Sequence, residues 1–316
     1  MDFLQGETSQ MTSEQKVYCR DQSLNSSEQL FGTASTAQFW FLLEYPGPWG
    51  SKAFEESHLP DPVKEHLSSL QTSFPNARIQ VIKRDMPVPG KSIAFFLIDA
   101  RPQNPRMYQF KLTAYEDLLE LDFPAVLSRD PDYQQFQRQE SLYLICTNGR
   151  RDPCCARFGP SVYTSMAQQA GASVWQCSHL GGHRFAGNVL CFPHGIYYGR
   201  VTPEKASAIL EANQQGQIYL ENFRGRACYD SIVQAAEYFL RIQTKNRDLE
   251  AYVVKQSKEI ASQQWKVVFT QSEEKTMHSL HLATGITEVS TLLNCRDEQP
   301  SNIGQYRLID HQVIDS

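Results

Sequence analysis

The chain has 316 residues, of which 41% are hydrophobic and 21% are charged, and its formal net charge is −5 at pH 7. This length allows one large or two ordinary domains, and the composition is that of a globular protein. A net negative charge gives no electrostatic reason to expect nucleic-acid binding. No run of about 18 apolar residues predicts a membrane span. Residues 1–20 lack the pattern of a secretory signal, so we expect a cytoplasmic protein with reduced thiols.

The first half of the chain alternates apolar runs with amphipathic segments. Residues 1–35 are polar and rich in Ser, Thr and Gln, which predicts a flexible N-terminal arm. After it, short apolar runs bounded by Pro, Gly and polar residues predict strands. The predicted strands are 38–45, 77–83, 92–100 and 108–112, and the predicted helices are 61–74 and 114–121.

The second half repeats this order of elements. Predicted strands are 141–145, 173–176, 188–192 and 196–201, and predicted helices are 161–170, 202–213 and 226–243. The repetition predicts an α/β fold of two halves, 36–130 and 138–244, with a mixed sheet flanked by helices. Residues 245–316 carry three further strand candidates at 264–271, 277–284 and 305–309, which predict a small β-rich C-terminal appendage.

Residues 141–201 concentrate the chemistry-bearing side chains. This stretch holds five of the eight cysteines and three of the eight histidines, with five arginines against one acid, Asp152. Cys146 ends a predicted strand, and Cys154 and Cys155 come shortly before a helix. Helix N-termini and nearby arginines stabilise thiolates, which metal binding and redox chemistry both need.

His179 and His183 stand in the sequence HLGGHRF. Gly181 and Gly182 disfavour a helix here and favour a loop that turns both imidazoles to one point. Two cysteines from one loop and two histidines from another form a Cys2His2 set. The cysteines are more widely spaced than in zinc fingers, which favours a group larger than one ion, such as two irons bridged by sulfides.

The other cysteines show no ligand spacing. Cys19 stands alone in the polar arm, which indicates an isolated free thiol. A buried cysteine is more often a small apolar residue than a ligand. We therefore interpret the remaining thiols as core residues: Cys177, Cys191, Cys228 and Cys295.

Three segments carry a family resemblance. CTNGRRDPCCARFG, HLGGHRFAGN and FLLEYPGPWG resemble the sucrase/ferredoxin-like family, over roughly residues 30–240. Members are thioredoxin-like ferredoxins related to the fungal actin-patch-distribution protein. The resemblance implies two thioredoxin-like halves, of which the first is a degenerate copy without ligands and the second carries a [2Fe-2S] cluster.

The same resemblance implies a ligand set. Matched by motif, the ligands are Cys146, Cys155, His179 and His183. The doubled cysteine departs from the family pattern and keeps Cys154 open as the alternative second thiolate. The arginines nearest the motif residues are Arg150, Arg151 and Arg184.

We therefore expect an electron-transfer protein more than a stand-alone enzyme. Imidazole ligation predicts a pH-dependent one-electron reduction, and the arginines favour an acidic redox partner protein. The sequence identifies no particular partner and leaves a homodimer possible. Two alternatives stay open, a zinc-stabilised interaction domain with the same ligands and a thiol–disulfide oxidoreductase. No carboxylate pair supports sucrase activity.

Overall fold

The computed structural model describes residues 17–85, 92–271 and 276–314. They form a nine-stranded mixed sheet with flanking helices and a separate four-stranded antiparallel sheet near the C-terminus. Within these ranges, no helix has both the length and the apolar character that crossing a bilayer requires.

The elements are numbered in chain order. The helices are α1 Cys19–Asn25, α2 Asp61–Ser73, α3 Phe123–Ser128, α4 Pro153–Ala170, α5 Pro203–Gln214 and α6 Ser231–Thr244. The strands of the large sheet are β1 Phe39–Glu44, β2 Ala77–Lys83, β3 Ile93–Asp99, β4 Arg106–Leu112, β5 Leu142–Cys146, β6 Val174–Cys177, β7 Val189–Phe192, β8 Ile196–Tyr198 and β9 Phe223–Arg226. Those of the small sheet are β10 Tyr252–Ala261, β11 Gln264–Gln271, β12 Met277–Thr291 and β13 Ser301–Ile314.

The two halves of the large sheet repeat one topology. In the first half, β1 and β2 are parallel across α2, β3 is antiparallel to β1, and β4 is antiparallel to β3. In the second half, β5 and β6 are parallel across α4, and β7 and β8 continue as an antiparallel pair. This order is the thioredoxin topology in both halves, and it confirms the predicted fold class. The halves join where β2 pairs antiparallel with β6.

Strand alternation distributes the apolar side chains between two faces of the large sheet. In β1, Phe41 packs in the cluster that includes residues of α2, while Leu42 belongs to a core with residues from both halves. In that shared core, the Trp40 ring lies 5.3 Å from that of Phe192, and the Phe96 ring lies 5.7 Å from that of Trp175. The two halves therefore share one buried core. The domain boundaries at 36–130, 138–244 and 245–316 stay a prediction.

Several predicted elements need correction. Helix α4 begins at Pro153 rather than at residue 161, because the Asp152 side chain caps it by accepting a hydrogen bond from the Cys154 N–H. Residues 115–120 form a 3-10 helix. The predicted flexible arm is wrong for its described part, residues 17–35, because it contains α1 and buries Cys19 and Glu28.

In the C-terminal part, some strands match the predictions and others do not. Strands β11 and β12 pair antiparallel, which confirms the predicted hairpin strands, and the connection at 272–275 lies outside the described residues. The strand predicted at 305–309 lies within the longer β13. Strands β9 and β10 were not predicted.

A buried ionic group fixes α6 against β9. Glu237 Oε1 accepts from Arg226 Nε at 2.8 Å and from Arg241 Nη2 at 2.9 Å. The three side chains are 5% exposed or less. Removing one member of a buried ion pair leaves uncompensated charge in a low-dielectric interior, so this carboxylate is a strong constraint on the fold.

We predict that Glu237→Gln lowers the free energy of unfolding by about 3–5 kcal/mol, since two arginines lose their buried counter-charge. Glu221→Gln is the matched control, because Glu221 pairs with Lys205 at 2.7 Å on an exposed surface and should matter little. Denaturant titration of both variants measures the difference. Equal losses would contradict the role assigned to the buried pair.

Candidate metal centre

The two thiols of the predicted site come from the end of a strand and the start of a helix. Cys146 is the last residue of β5, and Cys155 lies in the first turn of α4. Their Sγ atoms are 3.5 Å apart, and both are buried. Gly159 makes this approach possible, because a Cβ there would lie 2.2 Å from the carbonyl oxygen of Cys146.

The two histidines stand on the loop after β6, as predicted. Gly181 and Gly182 have φ angles of +95° and +72°, a left-handed conformation that favours glycine. This turn stacks the rings of His179 and His183, with centroids 4.2 Å apart and planes 19° apart. A short 3-10 helix, His183–Phe185, continues the loop.

The structure brings three of the four predicted ligands together directly. The ligand atoms of Cys146, Cys155 and His179 lie within 4.8 Å of one another. His183 lies beside this group, because its ring stacks on the ring of His179. Within the described residues, Nδ1 of His179 and Nδ1 of His183 are buried without a hydrogen-bond partner. Buried polar atoms are seldom left unpaired, so these nitrogens fit a metal centre.

Electrostatics at the site favour protonation states suited to ligation. The hydrogen bond from the Cys155 thiol, aided by the nearby His179 imidazole, holds the pKa of Cys146 well below its usual value. The pKa of Cys155 is raised by the same hydrogen bond and by burial. Burial, with smaller contributions from His179 and Arg151, lowers the pKa of His183 to about 3. Both shifts favour the forms that bind metal, a thiolate at Cys146 and a neutral imidazole at His183.

The first half of the fold holds the histidine loop by its backbone. Arg78 on β2 donates hydrogen bonds to the carbonyl oxygens of His179 and Leu180, each at 3.3 Å. Gln80 donates to the His179 carbonyl at 3.2 Å and accepts from the hydroxyl of Ser178. The first half, which holds none of the predicted ligands, thus supplies donors that fix the loop of the predicted histidine ligands.

Further hydrogen bonds complete this support on both ligand loops. Arg224 donates to the Gly181 carbonyl at 3.2 Å, and Asn188 donates to the Gly182 carbonyl at 2.9 Å. On the cysteine side, Asn148 Nδ2 donates to the carbonyl of Gly50 at 3.1 Å. Gly50 ends the PGPWG segment, which follows β1 in the first half. The cysteine loop follows the corresponding strand, β5, in the second half.

The flanking residues named from the sequence lie in different environments. Arg150 and Arg151 are exposed on the cysteine loop. Arg184 donates to the buried Glu28 carboxylate at 2.8 Å, so it joins the N-terminal segment to the histidine loop. Cys154 faces away from Cys146 and lies in a second group of thiols. Cys177 and Cys191 are buried core residues, as predicted.

For two cysteines outside the predicted site, the structure differs from the prediction. Cys19 is no isolated thiol, because its Sγ lies 3.5 Å from that of Cys154. Cys295 lies 3.2 Å from Cys154, Sγ to Sγ, and is not simply a core residue. Sequence spacing gave no signal for either contact, since the partners are 135 and 141 residues apart.

Together these features define a class: a double thioredoxin-like α/β protein whose cysteine and histidine groups can hold metal. Comparison with known families agrees, since the sucrase/ferredoxin-like family model matches residues 30–225, more than half of the chain. The chain belongs to the sucrase/ferredoxin-like family.

Individual relatives match shorter segments. Altered inheritance of mitochondria protein 32 of Meyerozyma guilliermondii is 33% identical over 105 residues, covering 30% of this chain and 37% of the relative. Its counterpart in Debaryomyces hansenii is 32% identical over 105 residues, covering 30% and 38%. The chain thus matches less than two fifths of the length of these relatives. A thioredoxin-like [2Fe-2S] ferredoxin from Aquifex aeolicus aligns with 27% of this chain and 97% of its own, at 16% identity and a TM-score of 0.25.

We predict that Gly159→Ala displaces Cys146 and lowers the metal content of the protein. The added methyl group has no room beside the Cys146 carbonyl, and overpacking of this kind costs about 1–3 kcal/mol. Ser161→Ala, at an exposed position of the same helix, is the control and should leave metal content unchanged. Elemental analysis and thermal unfolding measure both effects. Full metal content in the Gly159 variant would argue against this packing constraint.

Proposed function

We propose that the chain is an electron-transfer protein that holds a [2Fe-2S] cluster through Cys146, Cys155, His179 and His183. The observation that carries the proposal is the pairing of donors, with two adjoining thiols beside two stacked imidazoles whose buried Nδ1 atoms have no partner in the described chain. Membership of the sucrase/ferredoxin-like family supports the same conclusion. When bound, such a cluster takes up and releases one electron.

The spacing of the thiols supports ligation in pairs. Two sulfurs bound at about 2.3 Å to one tetrahedral metal lie about 3.8 Å apart, close to the 3.5 Å between Cys146 and Cys155. Two cysteines would then hold one iron and two histidines the other, the division found in Rieske centres. Neutral imidazoles leave such a cluster less negative than four thiolates do, which raises its reduction potential.

The surroundings suit electron exchange on the histidine side. The thiols are fully buried, whereas His179 borders an open cleft of about 330 Å³. Among the described residues, three basic ones line this cleft, Lys52, Arg78 and Arg151, against one acidic residue, Glu55. An excess of positive charge at the rim would guide an acidic redox partner to the imidazole edge. Electron transfer needs no substrate pocket, and we propose no sucrase activity.

The first test is the metal content and visible spectrum of protein purified without oxygen. We expect about two irons and two sulfides per chain, with visible absorption that bleaches on reduction by dithionite. Cys146→Ser should lose both, while Cys191→Ser, a buried thiol in another core cluster, should keep them. Colourless protein that binds one zinc through Cys146 would instead support a zinc-stabilised domain.

A second test is the pH dependence of the reduction potential. An added electron raises the basicity of ligating imidazoles, so reduction should be accompanied by proton uptake. The potential should therefore fall as pH rises, by up to about 59 mV per pH unit. Redox titration between about pH 6 and 9 measures this slope, and His183→Cys, which replaces one imidazole, should reduce it. A potential independent of pH would exclude proton coupling at these histidines.

A further inference from the structure

A second group of thiols lies on the other side of the α4 N-terminus. The Sγ atoms of Cys19, Cys154 and Cys295 form a triangle with sides of 3.5, 3.2 and 3.5 Å. A carboxylate oxygen of Asp152 lies with them, all four ligand atoms being within 4.8 Å of one another. Cys19, Cys154 and Asp152 are buried, and Cys295 is partly exposed.

The carboxylate at this site is firmly positioned. Asp152 Oδ1 accepts from the Cys154 N–H at 2.8 Å, and its Oδ2 accepts from the Cys295 N–H at 2.9 Å. The Cys19 N–H points at the Cys295 sulfur at 3.4 Å. Asp297 orders the segment that presents Cys295 by accepting from the N–H groups of Leu293 and Asn294. Side chains from three distant parts of the chain are thus directed at one point.

Neither a disulfide nor an iron–sulfur cluster explains three sulfurs at these distances. A disulfide bond is about 2.0 Å long and joins only two sulfurs, whereas all eight cysteines are free here. In a cubane cluster the cysteines bind different irons, which keeps their sulfurs farther apart. Sulfurs that share one tetrahedral ion lie about 3.8 Å apart, which the triangle approaches on every side.

We propose that Cys19, Cys154, Cys295 and Asp152 form a structural Zn²⁺ site. Three thiolates and one carboxylate complete a tetrahedral set, and Zn²⁺ favours sulfur-rich tetrahedral sites. Zinc binding displaces the thiol protons of the three cysteines, so affinity should fall as pH is lowered.

The zinc site would tie both ends of the described chain to the ligand-bearing half. Cys19 belongs to α1, and Cys295 follows β12 in the C-terminal sheet region. Cross-links between positions far apart in sequence restrict the unfolded chain most, so the ion would stabilise the fold. The site also explains the cysteine doublet, because Cys154 serves this group while Cys155 faces Cys146.

The decisive measurement is zinc and iron content of the full chain, purified without oxygen and dialysed against Zn²⁺. We expect about one zinc per chain in the wild type. Cys295→Ser, which removes one of the four proposed ligands, should lose most of its zinc and keep its iron. Cys228→Ser, a buried thiol in a separate core cluster, is the matched control and should keep both metals.

Titration with Co²⁺ provides a second readout if the Cys295 variant folds poorly. It is performed on Cys146→Ser, which is expected to lack the iron chromophore, after zinc has been removed by a chelator. Tetrahedral thiolate bands at one Co²⁺ per chain would support the site. If iron is absent from the wild type but zinc and these bands remain, the zinc site stands and the [2Fe-2S] proposal fails.

Three results would overturn the zinc site. The first is wild-type protein without zinc after dialysis and without thiolate bands from Co²⁺. The second is loss of iron, rather than zinc, from Cys295→Ser, which would assign these cysteines to the cluster. The third is a Cys154–Cys295 disulfide found by mass spectrometry of unreduced peptides prepared without oxygen.

Discussion

The geometry of the candidate centre depends on hydrogen bonds to the backbone of one short loop. A loop that buries its carbonyl groups must find donors for them. Here Arg78 and Gln80 on β2 satisfy the carbonyls of His179 and Leu180, and Arg224 and Asn188 satisfy the two glycines that follow. Because Arg78, Gln80 and Arg224 sit on strands and Asn188 directly precedes β7, these donors fix the imidazoles more firmly than the loop itself could.

This constraint gives the first half of the large sheet a structural role around the candidate centre. Its strand β2 pairs with β6 at the point where the histidine loop begins, and its PGPWG segment accepts a hydrogen bond from Asn148 in the cysteine loop. In this chain the second half carries the candidate ligands, and the first half supplies hydrogen-bond donors and an acceptor that hold their loops in place.

The local parts of this arrangement were predictable from sequence, and the non-local parts were not. Strand β2 matches its predicted bounds of 77–83, and Gly181-Gly182 correctly indicated a loop at the histidines. The start of α4 lies before its predicted position because the helix continues through Gly159 and Pro160, residue types that disfavour a helix interior. Strand β9 was missed because its sequence, FRGR, buries two arginines whose partners lie elsewhere in the chain. No local pattern connects Cys19 or Cys295 with Cys154, since only the folded chain brings them together.

In the doublet Cys154-Cys155, one peptide bond separates thiols that belong to two different groups of side chains. Neighbouring residues on a helix point about 100° apart around its axis, so the two thiols face different groups. The face of α4 that packs against β5 therefore decides which thiol lies toward Cys146, and Gly159 fixes that face against the Cys146 carbonyl. The rotation of the helix about its axis thus decides, as much as residue identity, which thiol belongs to which group.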